Sequence, residues 1–108
     1  MSTSKKKLRK TLKEEVEEIA RLYFIAVQMM KNSGLNDSKG KPSDQQRYIT
    51  RVENAFETLT DIEKEFINND FFYQAYPNWW KKYYTRSKYY LIKKRSMQSF
   101  LEAFEYEV

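Results

Sequence analysis

The side chains with the clearest chemical potential are the cations of the C-terminal third. Residues 71–101 contain seven basic residues and no acidic one, and the seven are Lys81, Lys82, Arg86, Lys88, Lys93, Lys94 and Arg95. Cations spaced along one segment can each neutralise a phosphate, so this bias predicts a polyanionic partner. Residues 11–70 instead hold twelve acidic and eight basic residues, so the formal net charge of +5 hides segments of opposite sign.

The composition of the 108-residue chain argues against most catalysis. It contains no histidine and no cysteine, which removes imidazole bases, thiol nucleophiles and zinc fingers. The two glycines, Gly34 and Gly40, cannot form a glycine-rich phosphate loop. The carboxylates of Glu53 and Glu57 share a helix face, but nearby bases favour ordinary ion pairs. We therefore expect no enzyme, no cofactor and no metal site.

The N-terminus and the hydropathy pattern predict a cytoplasmic protein. No apolar run approaches the roughly 20 residues that span a bilayer, and the basic start lacks the apolar core of a signal peptide. Residues 1–10 carry five cations and are predicted to be disordered. Residues 11–108 are predicted to form one domain without membrane association.

Helical periodicity predicts an all-α fold that begins with a long helix. Its apolar stripe recurs at spacings of three and four residues and consists of Leu12, Val16, Ile19, Tyr23, Ala26 and Met30. The stripe has two interpretations, packing on its own domain or a homodimer seam. Residues 33–43 are predicted to form a loop, because they hold both glycines and a proline.

Capping signals predict where the next helices begin. Two pairs of residues have the spacing of a capping box. Ser43 and Gln46 predict the start of the second helix, and Thr60 and Glu63 predict the start of the third. The third helix is expected to begin at Asp61 and to end at residues 68–70.

The segment before the last helix is the richest in aromatic residues, since residues 71–90 hold ten of the eighteen. Pro77 and Asn78 predict a short helix from Trp79 to Tyr83. A regular helix cannot turn both Trp79 and Trp80 toward one core, so one of them is expected on the surface.

The last helix is predicted to run from Thr85 to about Tyr106, with two unlike faces. The core face comprises Tyr89, Ile92, Ser96, Phe100, Ala103 and Phe104, with Met97 at its margin. The outward face comprises Ser87, Leu91, Lys94 and Gln98, flanked by Lys88 and Arg95. A helix with short polar groups and cations near its start fits the major groove of DNA.

Residues 59–104 resemble sigma-70 region-4-like helix-turn-helix proteins. The resemblance rests on the opening Thr85-Arg86, apolar residues four and seven positions after Thr85, a small residue at 96 and apolar residues at 97 and 100. The run from Thr85 to Arg95 is especially similar to short transcriptional regulators encoded by phages of low-GC Gram-positive bacteria. Residues 59–67 similarly resemble the opening helix of that module.

The resemblance implies sequence-specific binding to double-stranded DNA, with transcription regulation as the function and RNA polymerase as a further partner. It places Thr85, Arg86, Ser87, Lys88 and Leu91 at the positions that face DNA in the family, with Tyr90 adjacent and able to reach the backbone. The basic segment adds Lys81, Lys82, Lys93, Lys94 and Arg95, whose cations can neutralise phosphates, to the predicted DNA-binding residues. Ser87, Lys88 and Leu91 would meet bases, and most of the remaining cations would hold phosphates. Residues 59–106 are therefore expected to form a helix-turn-helix-like unit.

Two other functions are compatible with the same residues. A helical protein–protein adaptor would use the aromatic cluster for a partner, and its cations would only keep it soluble. A binder of single-stranded nucleic acid or RNA would stack bases on Trp79, Trp80 and the tyrosines, with lysines between them.

Overall fold

A computed structural model describes residues 10–33, 43–74 and 76–106, whose regular elements are all helical and which contain no strand. The helices are α1 (Leu12–Ser33), α2 (Asp44–Glu57), α3 (Asp61–Ile67), a π-helix (Asn68–Phe72) and α4 (Arg86–Tyr106). The all-α fold and the long N-terminal helix are thereby confirmed. Residues 1–9 of the predicted disordered start and residues 34–42 of the predicted loop lie outside the described residues.

Two helices begin at the predicted caps. The Thr60 hydroxyl accepts the Glu63 backbone N–H at 3.2 Å, and the Glu63 carboxylate accepts the Thr60 N–H at 3.0 Å. The Ser43 hydroxyl accepts the Gln46 N–H at 3.1 Å. Each bond satisfies a backbone donor that the first helical turn leaves free, which is why α2 and α3 begin where they do.

The apolar stripe of α1 packs inside its own chain. Val16 is fully buried, and Ile19 and Ala26 are also buried. The stripe joins α2, the π-helix and α4 in the larger of two core clusters, which includes Val52, Ala55, Leu59, Ile67, Phe71, Met97, Phe100, Leu101 and Phe104. Val16, Ile19 and Ala26 are thus covered within one chain, whereas the remaining residues of the stripe, Leu12, Tyr23 and Met30, are only partly buried. The homodimer seam stays a prediction.

The end of α3 differs from the prediction. The helix continues past Ile67 as a π-helix, closed by a 2.8 Å hydrogen bond from the Tyr73 N–H to the Asn68 carbonyl. A π turn takes up one more residue than an α turn and so changes the phase of the side chains that follow. Phe71 is buried in the larger cluster as a result.

The predicted short helix from Trp79 to Tyr83 is wrong. Residues 77–83 form successive turns, in which the Lys81 N–H donates to Asn78 and the Tyr83 N–H donates to Trp80. Asn78 has a φ of 63°, in the left-handed region that a right-handed helix cannot include. Asparagine tolerates this conformation better than most residues, so Asn78 turns the chain instead of starting a helix.

A second, smaller cluster joins α3 to α4. It consists of Phe66, Trp79, Trp80 and Tyr89, with Tyr84 and Ile92 packed against it. This cluster packs the turn segment and α3 against the first half of α4. None of the helices within the described ranges is both long enough and apolar enough to cross a membrane.

The capping box of α3 can be tested by substitution. We expect Thr60→Ala to lower the free energy of unfolding by about 1 kcal/mol, because the Glu63 backbone N–H loses the hydroxyl that accepts its hydrogen bond. Urea denaturation measures this change. Thr50→Ala, the same substitution at an exposed position inside α2, should change stability by less than about 0.5 kcal/mol. Equal effects at both positions would contradict the capping role.

Candidate nucleic-acid interface

The outward side of α4 and the turn before it carry almost all of the predicted DNA-binding residues. Ten of the eleven are exposed, namely Lys81, Lys82, Thr85, Arg86, Ser87, Lys88, Tyr90, Leu91, Lys94 and Arg95. Because residues 71–101 contain no acidic side chain, no carboxylate of that segment is present to neutralise these cations. We call these ten residues the cationic face.

Lys93 is the exception and corrects the prediction. Its side chain is only 16% exposed, and its Nζ lies 3.4 Å from a carboxylate oxygen of Asp70. The same ammonium donates to the Tyr89 hydroxyl at 3.3 Å and lies 5.5 Å from the centre of the Phe71 ring. An ammonium group that pairs with a carboxylate inside the protein is not available to bind a phosphate. We therefore count Lys93 among the residues that hold α4 in place.

Asp70 is the residue that sequence reasoning missed. Its carboxylate accepts the indole N–H of Trp79 at 2.8 Å and the hydroxyl of Tyr89 at 2.6 Å, in addition to pairing with Lys93. These contacts tie the π-helix to the turn segment and to α4. The one available sequence signal is that Asp70 is the last acidic residue before the acid-free segment.

Both tryptophans are buried, which corrects the expectation that one lies on the surface. Trp80 stacks on Tyr89 with 4.3 Å between ring centroids and 14° between planes, whereas Trp79 meets Phe66 edge-on at 5.1 Å. Because the segment is a series of turns, consecutive side chains can face one cluster. Neither indole is free to stack on a base, and the exposed aromatic residues of this region are Tyr73, Tyr76, Tyr83 and Tyr90.

The core side of α4 largely follows the predicted phase. Tyr89, Ser96, Met97, Phe100 and Phe104 are buried as expected, and Ile92 and Ala103 are partly buried. The prediction did not include Leu101, which is also buried.

The start of α4 is unfavourable for an isolated helix. The Thr85 hydroxyl accepts the Lys88 N–H at 3.2 Å and caps the helix. The first turn then carries Arg86 and Lys88 and no acidic residue. Cations near a helix N-terminus oppose the helix dipole, each by about 0.3–1 kcal/mol at low salt. An anion at this end would remove that penalty, since helix N-termini bind anions.

This surface offers a ligand positive charges and hydrogen-bond donors. Within the described ranges no three residues of the metal-binding types cluster closely enough to hold an ion. Burial and the hydrogen bond to Asp70 raise the pKa of the Tyr89 hydroxyl above its ordinary value, so it remains a protonated donor at neutral pH. The chemistry of the cationic face is therefore hydrogen bonding and charge neutralisation.

The Asp70 contacts predict a large stability effect. We expect Asp70→Ala to lower the free energy of unfolding by about 3 kcal/mol, because it leaves Lys93 without its counter-charge in a half-buried position. The Asp70→Asn variant can still accept hydrogen bonds but loses the ion pair, so its free energy of unfolding should fall by less than that of Asp70→Ala. Urea denaturation measures both, and Glu65→Gln, at an exposed carboxylate of α3, is the control. Similar losses for Asp70→Ala and Glu65→Gln would contradict this role.

One buried phenol, Tyr89, and one partly buried phenol, Tyr23, predict a loss of stability at high pH. Burial, together with the hydrogen bonds to Asp70 and Glu53, raises the pKa of Tyr89 and of Tyr23 above the ordinary 10, that of Tyr23 to about 12. The folded chain holds these protons more tightly than the unfolded chain. Their contribution is therefore complete below pH 10 and is lost as the pH rises above it.

Thermal unfolding followed by circular dichroism at about pH 9 and about pH 11 measures this loss. The Tyr23→Phe/Tyr89→Phe double variant should lose less stability between the two pH values than the unchanged protein does. Tyr106→Phe, which alters a ring that is 90% exposed, should not change the difference. An unchanged pH dependence in the double variant would contradict the assignment.

Comparisons with known proteins do not extend this description. Neither a family model, nor a curated protein, nor a solved structure matches the chain. The resemblance of residues 59–104 to sigma-70 region-4-like regulators therefore stays a prediction. What the cationic face binds has to be inferred from its own exposure, charge and support.

Proposed function

We propose that this chain is a small non-enzymatic DNA-binding regulator that places the first half of α4 in the major groove of double-stranded DNA. The observation that carries the proposal is the cationic face itself. It is exposed, it contains no carboxylate, and it begins at a helix N-terminus where positive charge is otherwise unfavourable.

The positions on α4 divide the face into two kinds of contact. Ser87, Lys88 and Leu91 follow one exposed strip of the helix, and we assign them to base edges. A lysine can donate to guanine, a serine to any base, and a leucine can contact the methyl group of thymine. The exposed cations beside them, Lys81, Lys82, Arg86, Lys94 and Arg95, would hold phosphates on either side of the groove.

The packing behind α4 suits this task. The Trp80–Tyr89 stack and the Asp70–Lys93 pair hold the inner side of the helix through its first two turns. A helix that presents side chains to base edges has to keep its angle, because small displacements break hydrogen-bond geometry. The smaller core cluster would provide that rigidity.

A binder of single-stranded nucleic acid remains a second candidate because of Tyr76, Tyr83 and Tyr90. All three rings are more than half exposed, and Tyr83 and Tyr90 are close in sequence to lysines of the cationic face. Base stacking on such rings tolerates any sequence. Buried tryptophans remove the strongest stacking groups, so duplex DNA is favoured.

The resemblance adds two finer elements to the proposal. RNA polymerase would be the protein partner of such a regulator, and the cytoplasm of a bacterial cell would be its compartment. A homodimer through the stripe of α1 is not included, because Val16, Ile19 and Ala26 are covered by the chain itself.

Gel retardation with random duplex DNA tests the proposal. At about 50 mM salt we expect binding, and if about five phosphates are neutralised the logarithm of the affinity should fall with the logarithm of salt at a slope near −4.5. Arg86→Ala with Lys94→Ala should weaken binding and reduce the slope by about two.

The matched control is Lys13→Ala with Lys31→Ala, which removes two exposed cations of α1. It should leave the affinity nearly unchanged. Absence of binding to duplex DNA at about 50 mM salt, or equal losses in the two double variants, would overturn the proposal. Tighter binding to a single strand than to the duplex would favour the second candidate.

A further inference from the structure

A groove of about 600 Å³ lies between α1, α2 and the π-helix. Its walls include the aromatic rings of Tyr23, Phe24, Phe56 and Phe72. Sites that bind ligands commonly have volumes of about 300–1,000 Å³ and aromatic linings. None of the lining residues that the structure describes belongs to α4, so the groove is separate from the cationic face.

Phe72 is the centre of the aromatic wall. Its ring centroid lies 5.5 Å from that of Tyr23, 5.9 Å from that of Phe24 and 6.5 Å from that of Phe56. Phe24 is 43% exposed, although its ring belongs to this group. An aromatic ring that packs on one side and remains open on the other can cover an apolar or cationic group of a ligand.

The charges that line the groove are negative. Glu53 and Glu57 are the acidic residues among its described lining residues, which include no lysine or arginine. The Tyr23 hydroxyl donates to Glu53 at 2.9 Å and thereby fixes the position of that carboxylate. Across the described chain, no lysine or arginine lies within ion-pair distance of Glu53.

Lys64 shows what kind of group this environment accepts. Its Nζ lies 3.1 Å from the Glu57 carboxylate and 5.8 Å from the centre of the Phe56 ring. The Glu57 carboxylate and the Phe56 ring, both at the groove, thus already bind the ammonium group of Lys64. Glu53, beside Tyr23, offers a second carboxylate next to aromatic rings, without a cation.

The groove continues along α1 past Phe24. A second cleft of about 320 Å³ shares Phe24 and Phe72 with the first and is also lined by Glu17, Ala20 and Arg21. From Val27 in the first cleft to Glu17 in the second, α1 rises by about 15 Å. This length exceeds one side chain and suits about three helical turns or five extended residues.

We propose that this groove docks a segment of a partner protein that inserts an arginine or lysine against Glu53 and lays apolar side chains over Phe24 and Phe72. The inference goes beyond the proposed function, because the occupant is cationic whereas DNA is anionic. It also agrees with the charge distribution, in which residues 11–70 carry an excess of acids.

The test uses the full-length protein and a synthetic 12-residue amphipathic helical peptide with apolar residues and two arginines. Nuclear magnetic resonance with labelled protein follows the backbone amides during titration. We expect shifts at Tyr23, Phe24 and Phe72 and none along residues 86–95. A peptide with glutamates in place of the arginines should bind at least about fivefold more weakly, as expected when a favourable charge pair becomes a repulsive one.

Glu53→Gln keeps the size of the side chain and removes its charge, and we expect it to weaken the arginine peptide about fivefold. Glu102→Gln, at an exposed carboxylate of α4, is the matched control and should leave the affinity unchanged. Unchanged affinity of Glu53→Gln, equal binding of the glutamate peptide, or no binding of the arginine peptide at about 1 mM would overturn the proposal.

Two further outcomes would show that something other than a partner protein occupies the groove. Either of them would also overturn the proposal. If alanine at Lys5, Lys6 and Lys7 shifts the groove amides without any peptide, the chain's own N-terminal segment occupies the groove. If Phe24→Ala abolishes a self-association seen by light scattering, a second copy does. The DNA affinity of Glu53→Gln is measured in parallel. It distinguishes failure of the groove proposal from failure of the proposed DNA-binding function.

Discussion

The arrangement of the C-terminal half depends on a carboxylate that is largely removed from water. Asp70 has a side chain that is 11% exposed, and removing a charge from water costs several kcal/mol unless partners replace the solvent. Trp79, Tyr89 and Lys93 provide those partners, and each comes from a part of the chain that follows the π-helix. The need to satisfy one charge thereby fixes how α4 is attached to α3. The aromatic rings around Phe66 complete the packing of α3 against α4. Among these contacts, the hydrogen bonds and the ion pair of Asp70 are the ones that depend on direction.

The acidic first three helices and the cationic face of α4 differ in how far their charges are paired within the chain. Several acidic residues of the first three helices have partners within the chain, as in the capping box of Glu63 and the Lys64–Glu57 pair. On α4 only Lys93 is balanced internally, whereas the neighbouring cations project outward. A stable fold does not need six exposed cations and no carboxylate on one surface, since ordinary surfaces mix the two signs. We regard this imbalance as the main physical sign of function in the chain.

Regular elements were predictable from the sequence, whereas irregular ones were not. The starts of α2 and α3 followed from capping residues, and the stripe of α1 and most of the core side of α4 followed from a period of 3.6 residues. The same reasoning failed at residues 68–84, because a periodic pattern assumes a constant helical phase. The π-helix changes that phase and Asn78 interrupts it, so the burial of both tryptophans could not be derived. Lys93 was assigned to the surface because its partner, Asp70, is distant in sequence and became visible only in three dimensions.

The π-helix also has a consequence for how this protein tolerates change in its gene. Each residue of an α-helix turns the chain by about 100°. Because the π turn takes up one residue more than an α turn, loss of the codon for residue 68 or 69 would allow α3 to continue as an α-helix, but it would turn the side chain of Asp70 relative to that of Phe66. Asp70 and Phe66 could then no longer both meet α4. This short stretch is thus a place where chain length itself is constrained, more strictly than the identity of most of its residues.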